Sequence, residues 1–107
     1  MSAKLVVPRA LARRDVEEAV DYYRDEAGED VALRFIEALS QAYKMIAARP
    51  GSGSARYGYD LDLPGLRTRK LVRFPYLIFY MEQPGHIDVW RILHAQRDIP
   101  RSMSQAD

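Results

Sequence analysis

Apolar residues recur at intervals of three and four along two stretches in the first half of the chain. In residues 9–26 they form one helical stripe with charge on the opposite face, and Gly28 follows as a stop signal. Residues 32–46 carry a second stripe, for which Asp30 is the expected N-cap and Pro50 the expected end. Because the join between them is short, the two helices are predicted to pair as an antiparallel hairpin.

The pattern changes in the second half to one that is typical of β-strands. In residues 66–72 alternate residues point to opposite sides, with Leu66, Thr68, Lys70 and Val72 on one side and Arg67, Arg69 and Leu71 on the other. Residues 76–81 are apolar on both faces, and residues 86–93 follow a tight turn at 83–85. A short strand-like run at residues 4–7 precedes the first helix. The predicted order is β-α-α-β-β-β, an α+β fold in which the helical hairpin covers one face of an antiparallel sheet. The first strand is expected to join the same sheet.

The remaining segments are predicted to be irregular. Residues 51–64 contain four glycines or prolines and little periodicity, so we expect the most mobile loop there. A single domain is expected over residues 1–101, with residues 102–107 as a polar, frayed tail.

Composition excludes several kinds of chemistry. The chain has 107 residues, 48% of them apolar and 29% charged, as in a globular domain. It has no cysteine, no apolar run long enough to span a membrane and no signal-peptide pattern, so a cytoplasmic location is expected. The two histidines, His86 and His94, lie at no metal-ligand spacing, and we expect neither a metal nor a cofactor.

The charges are segregated although the net charge is only +1. Residues 15–30 contain eight acids and one base, whereas residues 63–81 contain four bases and no acid. The four bases are Arg67, Arg69, Lys70 and Arg73. Two interpretations stay open: solvated faces, or a positive strip that meets an acidic partner or a phosphate.

Basic and aromatic residues in the last third are the remaining candidates for a functional site. No serine lies on a glycine elbow, and no glycine-rich loop precedes a helix. Arginines could hold a phosphodiester while a tyrosine or histidine moves a proton, or the same residues could bind an acidic protein. For Tyr76 and Tyr80 the alternative is core packing, and for His94 a structural hydrogen bond. The full set is Arg67, Arg69, Lys70, Arg73, Tyr76, Tyr80, His94 and Arg97.

The order of elements and several short motifs resemble the ParE/RelE superfamily of toxins from type II toxin–antitoxin systems. The matching pieces span roughly residues 4–99, and the last of them is similar to the His-x-x-Arg-Asp ending common in the ParE branch. In chain order they are Asp15 with Tyr22-Tyr23, Pro50-Gly51, the strand at 76–80, and the run Arg91-Ile-Leu-His94-Ala-Gln-Arg97-Asp98-Ile99.

The resemblance implies a small bacterial toxin, of the kind found in plasmid-stabilisation modules, that a cognate ParD-like antitoxin neutralises. RelE-like members cleave mRNA on the ribosome, whereas ParE-like members inhibit DNA gyrase and have no assigned catalytic residues. The strand arginine of the RelE pattern falls at Leu77 here, and its C-terminal tyrosine falls near Met103. Only Arg97 has a counterpart, so a gyrase inhibitor without catalysis of its own is favoured over an enzyme.

Two alternatives stay open at this point. One is a RelE-like, ribosome-dependent and metal-independent endoribonuclease that would use Arg73, His94 and Arg97. The other is an inactive member that only binds antitoxin. We expect no membrane partner and no sequence-specific DNA binding by the toxin alone. A disordered antitoxin segment is expected to pack against the helical hairpin and the exposed sheet edge. The predicted partner-binding residues are Arg67, Arg69, Arg73, Tyr80, His94 and Arg97.

Overall fold

A computed structural model describes residues 3–104, and it confirms the α+β order with two short helices added. The elements are β1 (Leu5–Pro8), α1 (Ala10–Ala27), α2 (Glu29–Ala48), a single 3₁₀ turn (Pro50–Ser52), α3 (Arg56–Asp60), β2 (Leu66–Lys70), β3 (Tyr76–Glu82), β4 (His86–His94) and α4 (Ile99–Met103). No helix within residues 3–104 is long and apolar enough to cross a bilayer.

The strands form one sheet in the order β1-β4-β3-β2. The hairpin-linked strands β2, β3 and β4 are antiparallel, as predicted, and β1 joins the same sheet by pairing in parallel with β4. β1 is short, and its pairing with β4 ends at Pro8, opposite Val89. The chain then turns into α1, and within residues 3–104 no strand continues along the β1 side of β4 beyond Val89.

A single glycine joins the two long helices. Gly28 has φ 96°, a left-handed conformation that glycine adopts without steric cost, and α2 begins at the next residue. The expectation that Asp30 caps α2 is therefore wrong, since Gly28 is in the N-cap position and Asp30 lies inside the first turn. Its carboxylate still favours the helix, because negative charge is stabilising near a helix N-terminus.

Both faces of the sheet are covered, which explains why β3 is apolar on both sides. The α1–α2 hairpin buries one face around Phe35, Ile46 and Ile78. The short helices α3 and α4 cover the other face, where Phe79 and Leu93 are fully buried. The second layer was not predicted, because the helices that form it are too short to show a periodic stripe.

Two expectations about irregular segments are corrected by this second layer. Residues 51–64 are not all loop, since they contain α3, and Tyr57 of that helix packs against the second cluster. Residues 102–104 are not a frayed tail, because Ser102 and Met103 are buried in α4. Residues 105–107 of the predicted tail lie outside the described part of the chain.

A β-bulge changes the side-chain alternation in β4. Phe79 pairs with Arg91 and Tyr80 pairs with Val89, so one extra residue of β4 is inserted between these pairs. As a result Val89 and Ile92 both pack against the helical hairpin, although they are three residues apart. Strict alternation along β4 would have placed them on opposite faces.

Candidate functional site: a basic groove and an aromatic cluster

An open groove of about 870 Å³ lies between α2 and the end of β2 with the turn that follows it. We call it the basic groove. Its apolar lining residues are Val31, Ala38, Ala42, Met45, Val72 and Phe74, and its basic ones are Arg34, Arg69, Lys70 and Arg73. Glu37 is the one acidic residue that lines it. The groove therefore combines an apolar surface with a positive border.

Helical periodicity explains why α2 presents this surface. The groove-lining residues Arg34, Ala38 and Met45 recur at helical spacing along one side of the helix. The adjacent side of α2 buries Phe35 and Ile46 against the sheet. One helix thus serves both the core and the groove.

The four bases of the predicted positive strip differ in whether the fold already uses their side chains. Arg67 donates from Nη1 to the Gly53 carbonyl at 2.8 Å, and Arg69 donates from Nη1 to Ser52 Oγ at 3.1 Å. These two side chains hold the segment after α2 against β2. Within residues 3–104, no hydrogen bond or ion pair engages the side chains of Lys70 and Arg73. Those two cations remain available to a partner.

The outer edge of β2, on the side away from β3, borders this groove. Ser54 occupies the edge at Thr68, where two backbone hydrogen bonds of 2.9 Å join the two residues. Lys70 lies two residues further along β2 and has the same orientation, so its backbone N–H and C=O point outward. An extended segment lying in the groove could therefore pair with the end of β2.

Arg73 is held in an unusual backbone conformation on the exposed turn after β2. Its φ is 69°, in the left-handed region that residues other than glycine rarely adopt. The next residue, Phe74, packs against Phe35 with ring centroids 5.3 Å apart. Packing of the partly buried Phe74 ring therefore holds the turn that displays Arg73.

Tyr80, which was predicted to bind a partner, lies in the core of this structure. Its side chain is fully buried, as the core-packing alternative expected. The hydroxyl donates to the Pro50 carbonyl at 2.7 Å and accepts the Gly53 N–H at 3.1 Å. Burial raises the pKa of Tyr80, against a smaller lowering by the Gly53 hydrogen bond. Tyr80 fastens the segment after α2 to the sheet.

A second set of polar groups surrounds the start of β3 and the end of β4. We call Tyr22, Tyr76, His94 and Arg97 the aromatic–basic cluster. The His94 and Tyr76 rings meet edge to face with centroids 5.3 Å apart, and both side chains are half-buried. Tyr23 links Tyr76 to Tyr22, with centroid distances of 6.1 and 5.3 Å. Tyr22 is 57% exposed.

The closing motif, which is the run of residues 91–99 that resembles the family, ends in a compact turn into α4. The Gln96 N–H donates to His94 Nδ1 at 3.1 Å, and the Arg97 N–H donates to the His94 carbonyl at 3.0 Å. Asp98 is the N-cap of α4, where its Oδ1 accepts the Arg101 N–H at 3.3 Å. His94 and Asp98 therefore have local structural roles, whereas the Arg97 side chain is exposed with no ion pair in the described range.

The three residues proposed for the nuclease alternative lie at one end of the sheet. The Ala95 N–H donates to the Pro75 carbonyl at 2.8 Å, which places the turn of Arg73 beside the turn of His94 and Arg97. No group of three or more histidines, aspartates and glutamates in the described chain could hold a metal ion. Leu77 and Met103, at and near the two polar positions of the nuclease pattern, are apolar. Met103 is buried in the second core cluster and Leu77 packs against it.

Sequence reasoning did not predict the contacts made by Arg91. This arginine is 3% exposed and forms an ion pair with Asp15, which is 6% exposed. The sequence pointed to Asp15 only through the resemblance, and it indicated no partner for it. The available signal was a charged residue in an otherwise apolar strand run, which usually requires a buried partner.

The chain was compared with known proteins. Residues 6–99 match the family model described as the ParE toxin of the type II toxin–antitoxin system parDE. Two proteins named Toxin ParE1, from Mycobacterium tuberculosis strains CDC 1551/Oshkosh and ATCC 25618/H37Rv, are each 34% identical to this chain over 104 residues, covering 96% of this chain and 100% of the relative. A chain of the solved structure titled chromosomal ParDE TA system from P. aeruginosa has a similar fold, with a TM-score of 0.73 at 22% identity over 88% of this chain and 98% of that one.

Proposed function

Because this chain belongs to the ParE toxin family of type II toxin–antitoxin systems, we propose that it inhibits DNA gyrase and that a ParD-like antitoxin neutralises it. The family match over residues 6–99 is the observation that carries this proposal. Inhibition would come from binding to gyrase, without catalysis by the toxin itself.

Two apolar side chains support gyrase inhibition over ribosomal mRNA cleavage. By the resemblance, Leu77 stands where the nuclease pattern has an arginine, and the tyrosine of that pattern falls near Met103. Met103 is buried in the second core cluster and Leu77 packs against it, so neither position supplies a charged group or a proton donor. Arg97 is the one residue of this chain that matches the nuclease pattern. Loss of a charge-stabilising group and of a proton donor each lowers a rate by about two to three orders of magnitude.

The basic groove is the surface we assign to the antitoxin. Its apolar lining would accept the apolar side of an amphipathic segment, and Arg34, Lys70 and Arg73 would meet acidic residues on that segment. The outward backbone groups of Lys70 offer main-chain pairing at the same place. Arg67 and Arg69 are less suited to contact a partner than we predicted from the sequence. Each already donates a hydrogen bond to the segment after α2.

A supercoiling assay tests the gyrase proposal. Purified toxin is added to DNA gyrase, relaxed plasmid and ATP, and we expect supercoiling to stop or cleaved DNA to accumulate. Equimolar antitoxin from the neighbouring reading frame should restore activity. A translation-coupled mRNA cleavage assay runs beside it. Intact gyrase activity at toxin concentrations that arrest growth, together with cut mRNA, would reject the proposal in favour of the nuclease.

Charge reversal tests the groove. The double variant Lys70→Glu/Arg73→Glu should weaken antitoxin binding by at least about tenfold at low salt, with a smaller difference at high salt. The matched control is Arg14→Glu/Arg56→Glu, which makes the same change in net charge at two exposed residues that do not line the groove. Equal weakening by both doubles would mean that net charge, and not the groove, governs binding.

A further inference from the structure

The one acidic side chain that lines the basic groove has no charge partner in the described fold. Glu37 is an exposed residue in the middle of α2, on the border of the groove between Arg34 and Gln41. Within residues 3–104, no hydrogen bond or ion pair engages its carboxylate. Four basic residues line the same groove, so Glu37 interrupts an otherwise positive border.

The spacing of charges along α2 explains why Glu37 stays unpaired. Side chains three and four residues apart are neighbours on a helix, and for Glu37 these are Leu33, Arg34, Ser40 and Gln41. Arg34 is the one cation among them, and it precedes Glu37. That order is the less favourable one for an ion pair, because an acid before a base agrees better with the helix dipole. The helix itself therefore supplies no stable ion pair.

The bases on the strand side of the groove do not pair with Glu37 either. Arg69 donates to Ser52 Oγ, and neither Lys70 nor Arg73 forms an ion pair in the described chain. The space between α2 and these bases is open, at about 870 Å³. A partner segment that fills it would lie between the two borders and would meet Glu37 directly.

The other acids of the helical hairpin lie outside the groove. Glu29 and Asp30 are in the first turn of α2, and Asp30, the nearer one, is seven residues before Glu37, which is about 10 Å along the helix axis. None of the acids of α1 lines the groove. Glu37 is thus the acid that a segment in the groove would have to accommodate.

A uniformly acidic segment would fit this groove poorly at one point. Its carboxylates would satisfy Arg34, Lys70 and Arg73, but one of them would lie beside Glu37, and like charges brought together across an interface disfavour binding. A lysine or arginine at that point replaces the repulsion by an ion pair. Both terms contribute to the difference in affinity between the two kinds of segment.

We propose that Glu37 is a specificity-determining residue for the antitoxin, and that it selects a segment with one basic residue opposite Glu37 among acidic residues that meet the other charges of the groove. The proposal rests on the assignment of the groove to the antitoxin, and it adds the charge pattern of the partner. An acidic segment without that basic residue binds less tightly.

The sign of the effect of Glu37→Gln tests the proposal. Calorimetric titration of the full chain with the antitoxin from the neighbouring reading frame gives the dissociation constant at low and at high salt. Loss of an ion pair should weaken binding about two- to fivefold at low salt and less at high salt. Loss of a repulsion would tighten binding instead. Unchanged or tighter binding by Glu37→Gln at low salt would overturn the proposal.

A charge exchange identifies the partner residue. Each lysine and arginine in the toxin-binding segment of the antitoxin is replaced in turn by glutamate and titrated against the wild-type toxin and Glu37→Lys. At one position the replaced antitoxin should bind Glu37→Lys at least about threefold more tightly than it binds the wild type. No such preference at any position, or the same preference at every position, would reject a specific pair.

Glu18→Gln is the matched control, because it makes the same change in net charge at an exposed acid of α1 that does not line the groove. It should bind antitoxin like the wild type, and a loss equal to that of Glu37→Gln would mean that net charge governs binding. Urea denaturation confirms that both variants are folded.

The double variant Lys70→Glu/Arg73→Glu keeps this proposal apart from the assignment of the groove. Weaker binding by the double variant, with no loss in Glu37→Gln, leaves the antitoxin in the groove and rejects only the role of Glu37. A loss in Glu37→Gln alone keeps Glu37 as an antitoxin contact and rejects the groove as assigned. The supercoiling assay with toxin alone contains no antitoxin, so failure to inhibit gyrase rejects only the gyrase function.

Discussion

Asp15 and Arg91 form a buried bidentate ion pair between α1 and β4. Arg91 Nε donates to Asp15 Oδ2 and Nη2 donates to Oδ1, each at 2.8 Å, with the two side chains only 4% and 5% exposed. Asp15 Oδ2 also accepts the Ile92 N–H at 3.0 Å. Because β1 has ended at Pro8, this N–H lies at an edge where no strand is left to accept it, and Asp15 takes the place of that strand.

The same arginine extends the connection to the C-terminal helix. Arg91 Nη1 donates to the Ser102 carbonyl at 2.8 Å. One ion pair thus links α1, β4 and α4, the elements that hold the closing motif in position. Arg91, the first residue of the run 91–99 that resembles the family, therefore has a structural role.

Removing one member of this pair should destabilise the fold strongly. Asp15→Ala leaves a buried guanidinium without its counter-charge and the Ile92 N–H without its acceptor. We expect a loss of about 3–5 kcal/mol in the free energy of unfolding. Urea denaturation followed by circular dichroism measures it. The control is Asp21→Ala, which breaks an exposed pair with Arg24 and should cost less than about 1 kcal/mol. Similar losses in the two variants would contradict a buried, structural ion pair.

Gly53 should not tolerate a side chain. A Cβ at this position would lie 2.3 Å from Tyr80 Oη and 2.8 Å from the Thr68 carbonyl oxygen. Gly53→Ala must therefore displace either the buried tyrosine or backbone, and we expect a loss of about 1–3 kcal/mol in stability.

Gly51→Ala is the matched control, because a Cβ added there would have no atom within 4 Å beyond its chain neighbours. Thermal unfolding should separate the two variants clearly. If Gly53→Ala unfolds at the temperature of Gly51→Ala, the close contact with Tyr80 is not a constraint.

The left-handed backbone at Arg73 should lower the free energy of unfolding, although the Arg73 side chain lines the basic groove. Its left-handed backbone costs a residue with a Cβ about 1 kcal/mol relative to glycine. We therefore expect Arg73→Gly to be about 1 kcal/mol more stable than Arg73→Ala, while both bind antitoxin more weakly than the wild type. Urea denaturation and calorimetric titration provide the two measurements. A less stable Arg73→Gly would argue against backbone strain at this turn.

Tyr43 should make the fold sensitive to alkaline pH. Burial raises the pKa of Tyr43 from 10.0 to about 12, against a smaller lowering by Arg13. Between these values the unfolded chain has released the proton and the folded chain has kept it, so stability falls as pH rises from about 10 to 12. The loss should reach about 2 kcal/mol.

Urea denaturation at several pH values between about 9 and 12 measures this loss. Tyr43→Phe removes the titrating group and should show a shallower decline over the same range. An identical decline in the variant would mean that other tyrosines account for the pH dependence. Tyr59→Phe changes an exposed phenol and should behave like the wild type.

The two long helices, the order of the last three strands and the turn before β4 were predictable, because each depends on neighbours within a few residues. Periodicity of three and four marks a helix whatever lies against it, and Gly28 ends α1 through its own backbone freedom. The short helices α3 and α4 were not predictable in this way. Their apolar residues, such as Met103, make sense only against a sheet face that already exists.

The candidate site was predictable in composition but not in arrangement. The sequence determined that basic and aromatic residues gather in the last third, and that two positions of the nuclease pattern are apolar. Only the tertiary structure decided that Tyr80 is core, that Arg67 and Arg69 brace a loop while Lys70 and Arg73 stay free, and that Asp15 meets Arg91 from 76 residues away. The physical reason is that burial and pairing depend on which surfaces meet after folding, whereas periodicity, turns and charge are properties of the local chain.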